Sequence, residues 1–395
     1  MTSAVEVVEL MNSVAAGQLE VRSRHLQNSY AGLYVHAPFC ISKCSYCAFN
    51  SVIKPVDTSG MCSALSSELY RRINNSHLQF QTFYAGGGTP TLLPPEFWAG
   101  LVNMAVTESL KEVTIETNPA SADAVDYHSL LQAGFNRISV GVQSFNDKYL
   151  HLLGRRHSAD EAGNTLRQIS NSGFRNISID LMYGLPGQTP EDHRTDVEQT
   201  LRFAPQHISA YDLTLEPGTP MGDRGEKASE DICTDMYHQT DDLLMANGYI
   251  HYEVSSYALE EKYRSVHNSS YWNRTPYMGI GPSAHSFTGT SRSWNVSNIS
   301  QYESALLRGE LPVESSEELT HENAAHEILA LGFRNTGGVD LDELERYGFR
   351  LDPAELLQTG LVSRTGNLLV PDAEGMLFAD FLALKASELL TVSRV

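Results

Sequence analysis

The sequence predicts an α/β protein, an incomplete (β/α)6 barrel followed by a small, mainly helical carboxy-terminal domain. Three observations carry that prediction. Six short runs rich in Val, Ile, Tyr and Phe recur from Leu33 to about Leu215, with helix-like apolar spacing between them. Gly134-Phe135-Asn136-Arg137-Ile138-Ser139-Val140 is echoed 39 residues on by Gly173-Phe174-Arg175-Asn176-Ile177-Ser178-Ile179, about the length of one βα unit. With 395 residues, 41% hydrophobic and 19% charged, the chain can build a large packed core, which excludes a disordered protein.

Taken in order, residues 1–30 have no partner pattern and are expected to be an extension. Residues 31–225 hold the barrel strands: LYVH (33–36), TFYA (82–85), VTIE (113–116), RISVGV (137–142), NISIDLM (176–182) and HISAYDL (207–213). MCSALSSELYRRIN (61–74) is the first of the helices between them. Six units rather than eight leave the barrel open on one side. Past Pro217 the pattern changes: residues 226–310 hold a helix and then an aromatic, Gly-rich stretch (HNSSYWNRTPYMGIGPSAHSF, 267–287) expected to close the barrel. Residues 311–395 read as helices at 319–334 and 339–348 with a hairpin through Val362 and Leu368, as in a winged helix.

Lysine plus arginine number 28 against 48 for aspartate plus glutamate, a net charge of −20 that makes nucleic acid a poor partner. No apolar run has the length of a membrane span. The opening MTSAVEVVELMNSVAAGQLEV carries glutamates where a signal or transit peptide carries Arg or Lys, so a cytoplasmic protein is expected.

Five cysteines in so long a chain are no disulfide framework. Cys62 and Cys233 read as small buried residues. Cys40, Cys44 and Cys47 fall in one CxxxCxxC run. Three thiolates on one loop can hold three irons of a 4Fe-4S cube and leave the fourth iron open. Structural zinc wants four ligands, and no second cysteine pair exists; His36 is a candidate fourth ligand, but it sits on a predicted strand.

Tyr34-Val35-His36-Ala37-Pro38-Phe39-Cys40, running into that motif, resembles the cluster loop of the radical S-adenosyl-L-methionine (SAM) superfamily, and more narrowly the oxygen-independent coproporphyrinogen III oxidase group. The resemblance implies that the open iron takes the amino and carboxylate groups of SAM. One electron from the reduced cluster then cleaves the sulfonium to leave a 5′-deoxyadenosyl radical. Gly86-Gly87-Gly88-Thr89-Pro90 follows the second strand, where glycines let backbone approach a ligand. The resemblance makes Gly87, Gly88 and Thr89 contacts to the methionine part. Glu116, Gln143 and Asp180 end or follow the next three strands, and Arg155 lies close by; polar side chains there point into a barrel mouth. Each alone would serve to cap a loop, but as a set, with Tyr34 and Tyr46, they are the implied SAM contacts. The likeness runs from Leu33 to about Asn298.

Within the group, the oxidases carry a further cysteine two positions after the third. Phe49 stands there, followed by Asn50, as in the relatives called HemW. With 39 residues before Cys40, no counterpart of the long amino-terminal region of the oxidases is expected. His267-Asn268-Ser269-Ser270-Tyr271-Trp272 is similar to the HNxxYW segment of that family, which implies heme binding through His267, with His285 an alternative ligand. The resemblance therefore implies a heme chaperone that binds heme, a 4Fe-4S cluster and SAM and hands heme to an acceptor protein, such as a respiratory enzyme, with a separate electron donor and no residue assigned a catalytic role. The alternative is a radical SAM enzyme acting on coproporphyrinogen III or another tetrapyrrole, with Arg155, Arg156 and Arg175 as candidates to meet its propionates.

Overall fold

A computed structural model describes residues 30–393 apart from 56, 75–78, 107–108 and 120–124. The expected extension lies outside the described residues except for Tyr30, which opens the first strand.

The barrel strands are β1 (Tyr30–Ala37), β4 (Gln79–Gly87), β5 (Glu112–Thr117), β6 (Arg137–Gln143), β7 (Ile177–Tyr183) and β8 (His207–Asp212), paired side by side and parallel. Two short strands, β2 (Phe39–Cys40) and β3 (Val52–Ile53), flank the cysteine loop. The repeat shows itself in the register: Ile138 sits opposite Ile177, Ser139 opposite Ser178 and Val140 opposite Ile179, so equivalent residues are neighbours. Its two glycines do the same work. Gly134 and Gly173 take φ of 105° and 110° just after the helices Tyr127–Gln132 and Ala159–Ser172, a left-handed conformation that ends a helix and costs glycine little.

A seventh parallel strand was not foreseen. After β9 (Ile250–Glu253) and β10 (Ser256–Ala258), β11 (Tyr277–Ile280) pairs parallel with β1, inside the stretch read only as barrel-closing. Four residues including Gly279 are too few to show alternation. Beyond it run β12 (His285–Phe287), β13 (Ser291–Asn295) and β14 (Val313–Glu318), antiparallel. The twelve strands form one open sheet in the order β14-β13-β12-β11-β1-β4-β5-β6-β7-β8-β10-β9.

Strand alternation explains how the sheet serves a site. Leu33, Val35, Phe83, Ile115, Ile138 and Ile179 face the surrounding helices and join one core with Trp98 and Phe135. The residues between them are polar and meet on the other face: Tyr84 with Glu116, Ser139 with Asp180, Ser178 with His207. The barrel interior is thus a hydrogen-bonded polar chamber.

The closing region is fastened by a buried carboxylate. Glu68, on the helix Ser59–Asn74, accepts from Arg72 (2.8 Å), the Gly281 N–H (2.9 Å), Asn295 (2.8 Å) and Tyr302 (2.6 Å). The carboxy-terminal residues gather a core of their own, including Leu329, Phe333, Leu344, Leu369 and Leu382, around the helices His321–Gly332 and Ala379–Leu389. Val362–Thr365 and Leu368–Pro371 form an antiparallel hairpin there. Among the described residues no helix is long and apolar enough to cross a membrane.

Candidate cluster, cofactor and pocket site

The cysteine loop is closed by the β2–β3 pair and held from two sides. Ser45 donates its N–H to the Leu153 carbonyl (3.0 Å) and accepts from the Met221 N–H (2.9 Å). Cys40, Cys44 and Cys47 are free and half-buried, and burial pushes the Cys40 and Cys47 thiols up. Arg155 brings its Nη1 to 3.6 Å from Cys44 Sγ, and Thr89 Oγ1 lies 3.9 Å from Cys40 Sγ. At Cys40 the Thr89 hydroxyl and the Arg155 charge act against the rise that burial causes. His36 is no fourth ligand, because its Nε2 meets the Asn50 carbonyl at 2.8 Å and its Nδ1 the Tyr34 hydroxyl at 3.0 Å. Among the described residues no three His, Cys, Asp or Glu side chains converge on a single ion. Three thiols on one loop without a fourth ligand fit a cluster with one open iron and fit tetrahedral zinc poorly. Cys62 lies on the helix Ser59–Asn74 and Cys233 on the helix Glu230–Ala246, away from the loop.

The Gly run packs directly on the strand that leads into this loop. Gly88 donates to the Ala37 carbonyl (2.8 Å) and Thr89 to that of Phe39 (2.7 Å); a Cβ on Gly88 would lie 2.5 Å from the Phe39 oxygen. The glycines thus have a packing reason as well as a ligand reason. Glu116 accepts from Tyr84 Oη at 2.7 Å and from the Gly87 N–H at 3.3 Å. Burial, with Asp180 adding repulsion, pushes its carboxyl up to about 7. Asp180 accepts from Ser139 at 3.0 Å, and burial pushes it up as well. Gln143 has φ of 70°, at a register break in β6, the kind of strained non-glycine position that marks functional sites. Tyr46 packs against the small apolar cluster that includes Tyr149 and Leu153, and it hydrogen-bonds Arg155.

Asn118 is the residue sequence reading missed. Its Nδ2 donates to Thr89 Oγ1 (2.7 Å) and its Oδ1 accepts from Arg155 Nη2 (2.5 Å), so it ties the Gly run to the arginine beside Cys44. Its place one residue past β5 was the available signal. Glu116, Gln143, Arg155 and Asp180 therefore share one chamber with the glycine loop. Carboxylates there can accept from an ammonium or ribose hydroxyls, and backbone N–H groups can meet a carboxylate.

His267 does not join an open site. It is 1% exposed, its Nδ1 engages Thr82 Oγ1 (2.7 Å), its Nε2 engages Tyr271 Oη (2.9 Å), and its ring stacks on Tyr84 at 4.8 Å. Burial, helped by Arg137, lowers its pKa to about 3. Both nitrogens of His267, the residue expected at heme, are thus engaged by side chains of this chain, and Glu112 accepts the backbone N–H groups of Val266 and His267. Tyr34, expected at SAM, stacks on Tyr84 and lines a cavity of about 410 Å³ with Phe49, Tyr271, Tyr277 and His285.

The radical SAM superfamily model matches residues 34–200. The heme chaperone HemW of Bacillus subtilis is 32% identical over 368 residues, 88% of this chain and 96% of its own. HemW of Escherichia coli is 38% identical over 261 residues, 64% of this chain and 69% of its own. Coproporphyrinogen III oxidase (HemN) from Escherichia coli, a radical SAM enzyme of known structure, is similar at a TM-score of 0.76 and 22% identity over 90% of each chain, a likeness of fold.

Proposed function

Since the chain belongs to the radical SAM superfamily and within it to the HemW family, we propose that it is a heme chaperone. In this reading it carries a 4Fe-4S cluster and SAM, binds heme, and delivers it to an acceptor protein with a separate reductant serving the cluster. Cys40, Cys44 and Cys47 hold the cluster. Gly87, Gly88 and Thr89 meet the methionine end of SAM, and Glu116, Gln143, Arg155 and Asp180 orient the rest. A cluster held by these thiols would supply the single electron that SAM cleavage needs. The protein's own part is to keep thiols, glycine loop and carboxylates in register, which Asn118 and Arg155 do through their shared hydrogen bonds. Residues 31–225 form the unit for this chemistry, 226–310 close it and 311–395 fold beside it. A cytoplasmic site of action fits this reading.

One observation carries the chaperone reading beyond family membership. Phe49 stands where the oxidase group has a thiol and is 67% exposed on the wall of an aromatic pocket. It can neither ligate metal nor move a proton, but it can lie against a macrocycle. Anaerobic hemin titration of the cluster-reconstituted protein tests this, with saturable Soret binding near one heme per chain expected. The enzyme reading keeps support from the full inward set of Glu116, Gln143, Arg155 and Asp180. Decarboxylation of coproporphyrinogen III in the presence of SAM and reductant would replace the chaperone with the oxidase.

A further inference from the structure

We propose that His285 supplies the axial imidazole to heme, in the pocket that Phe49, Tyr271 and Tyr277 line beside the cysteine loop. The inference rests on the chaperone reading and names the site that reading needs. His285 is exposed at the start of β12, among the pocket's lining residues. Its ring stacks on Trp294, 5.7 Å away and inclined 26°, and the two residues pair across β12 and β13. The strand pairing and the stacked indole therefore fix the plane of the imidazole at the pocket wall. Among the described residues no hydrogen bond engages either ring nitrogen.

The other polar groups around the pocket are already engaged. His36 is bonded through both nitrogens, Tyr271 through His267, and Ser283 through Asn50 at 2.8 Å. His285 is thus the imidazole left to bind iron in the pocket, whereas His267 lies buried behind it with its nitrogens bonded to Thr82 and Tyr271. The cavity, about 410 Å³, lies within the size range of small-molecule pockets, and its aromatic walls suit a flat apolar ring. Phe49 leaves 67% of its surface uncovered, which a macrocycle laid against it would cover. One protein ligand leaves the opposite face of the iron open, which suits a protein that must give its cargo away.

Hemin is titrated anaerobically into the full-length, cluster-reconstituted protein and into His285→Ala, His285→Tyr and His267→Asn, followed by Soret absorption and by the electron-spin signature of the ferric iron. The expected result has three parts. His285→Ala binds at least about tenfold more weakly. His285→Tyr binds with a phenolate-type spectrum. His267→Asn keeps the parent spectrum while its unfolding midpoint falls. A phenolate spectrum reports direct ligation, which a merely structural role of His285 would not produce. If the His285 variants keep the parent's affinity and spectrum, the assignment is overturned and the chaperone reading stands. If His267→Asn alone changes the spectrum, the iron returns to His267. If the parent binds no heme saturably, both the chaperone reading and this site fail together.

Discussion

Glu116 concentrates the electrostatics of the chamber in one carboxyl. An ordinary glutamate loses its proton near 4.5, whereas this one holds it to about 7, because burial penalises the charge and Asp180 repels it. Between those values the folded protein binds more protons than the unfolded chain, so raising pH through that window costs stability and the loss levels off above it. The thermal midpoint of the parent is therefore expected to fall relative to Glu116→Gln as pH rises from about 4.5 to about 7. A difference that stays flat across the window would contradict this. The thiols give a second test at the same scale. Ala in place of Cys40, Cys44 or Cys47 should abolish the brown absorbance of the reconstituted protein, and Cys62→Ala and Cys233→Ala should keep it. Equal loss at Cys62, which sits on a helix outside the loop, would sink the ligand assignment.

Elements are held in place by contacts that tolerate little change. A Cβ on Gly88 would come 2.5 Å from the Phe39 oxygen and 2.9 Å from that of Ala37, both backbone atoms unable to rotate away. Gly88→Ala is expected to cost about 1–3 kcal/mol. It should also lower the iron retained after reconstitution, since β1 and β4 would part where the cysteine loop begins. Urea unfolding and an iron assay read the two effects separately. Glu68 acts on the far side. It is fully buried and joins the helix Ser59–Asn74 to Gly281, Asn295 and Tyr302. Glu68→Ala removes the charge that Arg72 faces, 2.8 Å away, and is expected to cost about 3–5 kcal/mol in the same denaturant measurement.

At the scale of the molecule, the carboxy-terminal core meets the sheet through a seam of charge and rings. Arg274 is 5% exposed in its side chain, pairs with Glu327 at 2.9 Å and lies between the Phe287 and Tyr347 rings at 5.3 and 5.4 Å. Glu327 keeps a second partner in Arg292 at 2.6 Å. Arg274→Ala should therefore cost less than orphaning a buried charge, about 1–3 kcal/mol. Differential scanning calorimetry checks it, and an unchanged midpoint would mean that the seam contributes nothing.

The sequence by itself determined what is written in short, contiguous stretches. The cysteine loop spans eight residues from Cys40 to Cys47. The six parallel strands are written as short runs rich in Val, Ile, Tyr and Phe with helices between them, and the alternation of side chains along each strand puts its polar residues on the inward face. The 39-residue echo marked β6 and β7 as consecutive staves, and its matched residues lie opposite each other in the sheet. Folding decided what depends on residues far apart in the chain. His267 looks like a ligand in its own segment, but it loses both nitrogens to Thr82, 185 residues away, and to Tyr271. Asn118 and Glu68 carry no motif and gain their roles from partners as distant as Arg155 and Tyr302. The seventh parallel strand is four residues long and exists because β1 offers it an edge. Residue type and local period are properties of the chain, but whether a polar atom is free to bind a ligand depends on which neighbours burial brings to it, and only the tertiary structure supplies those.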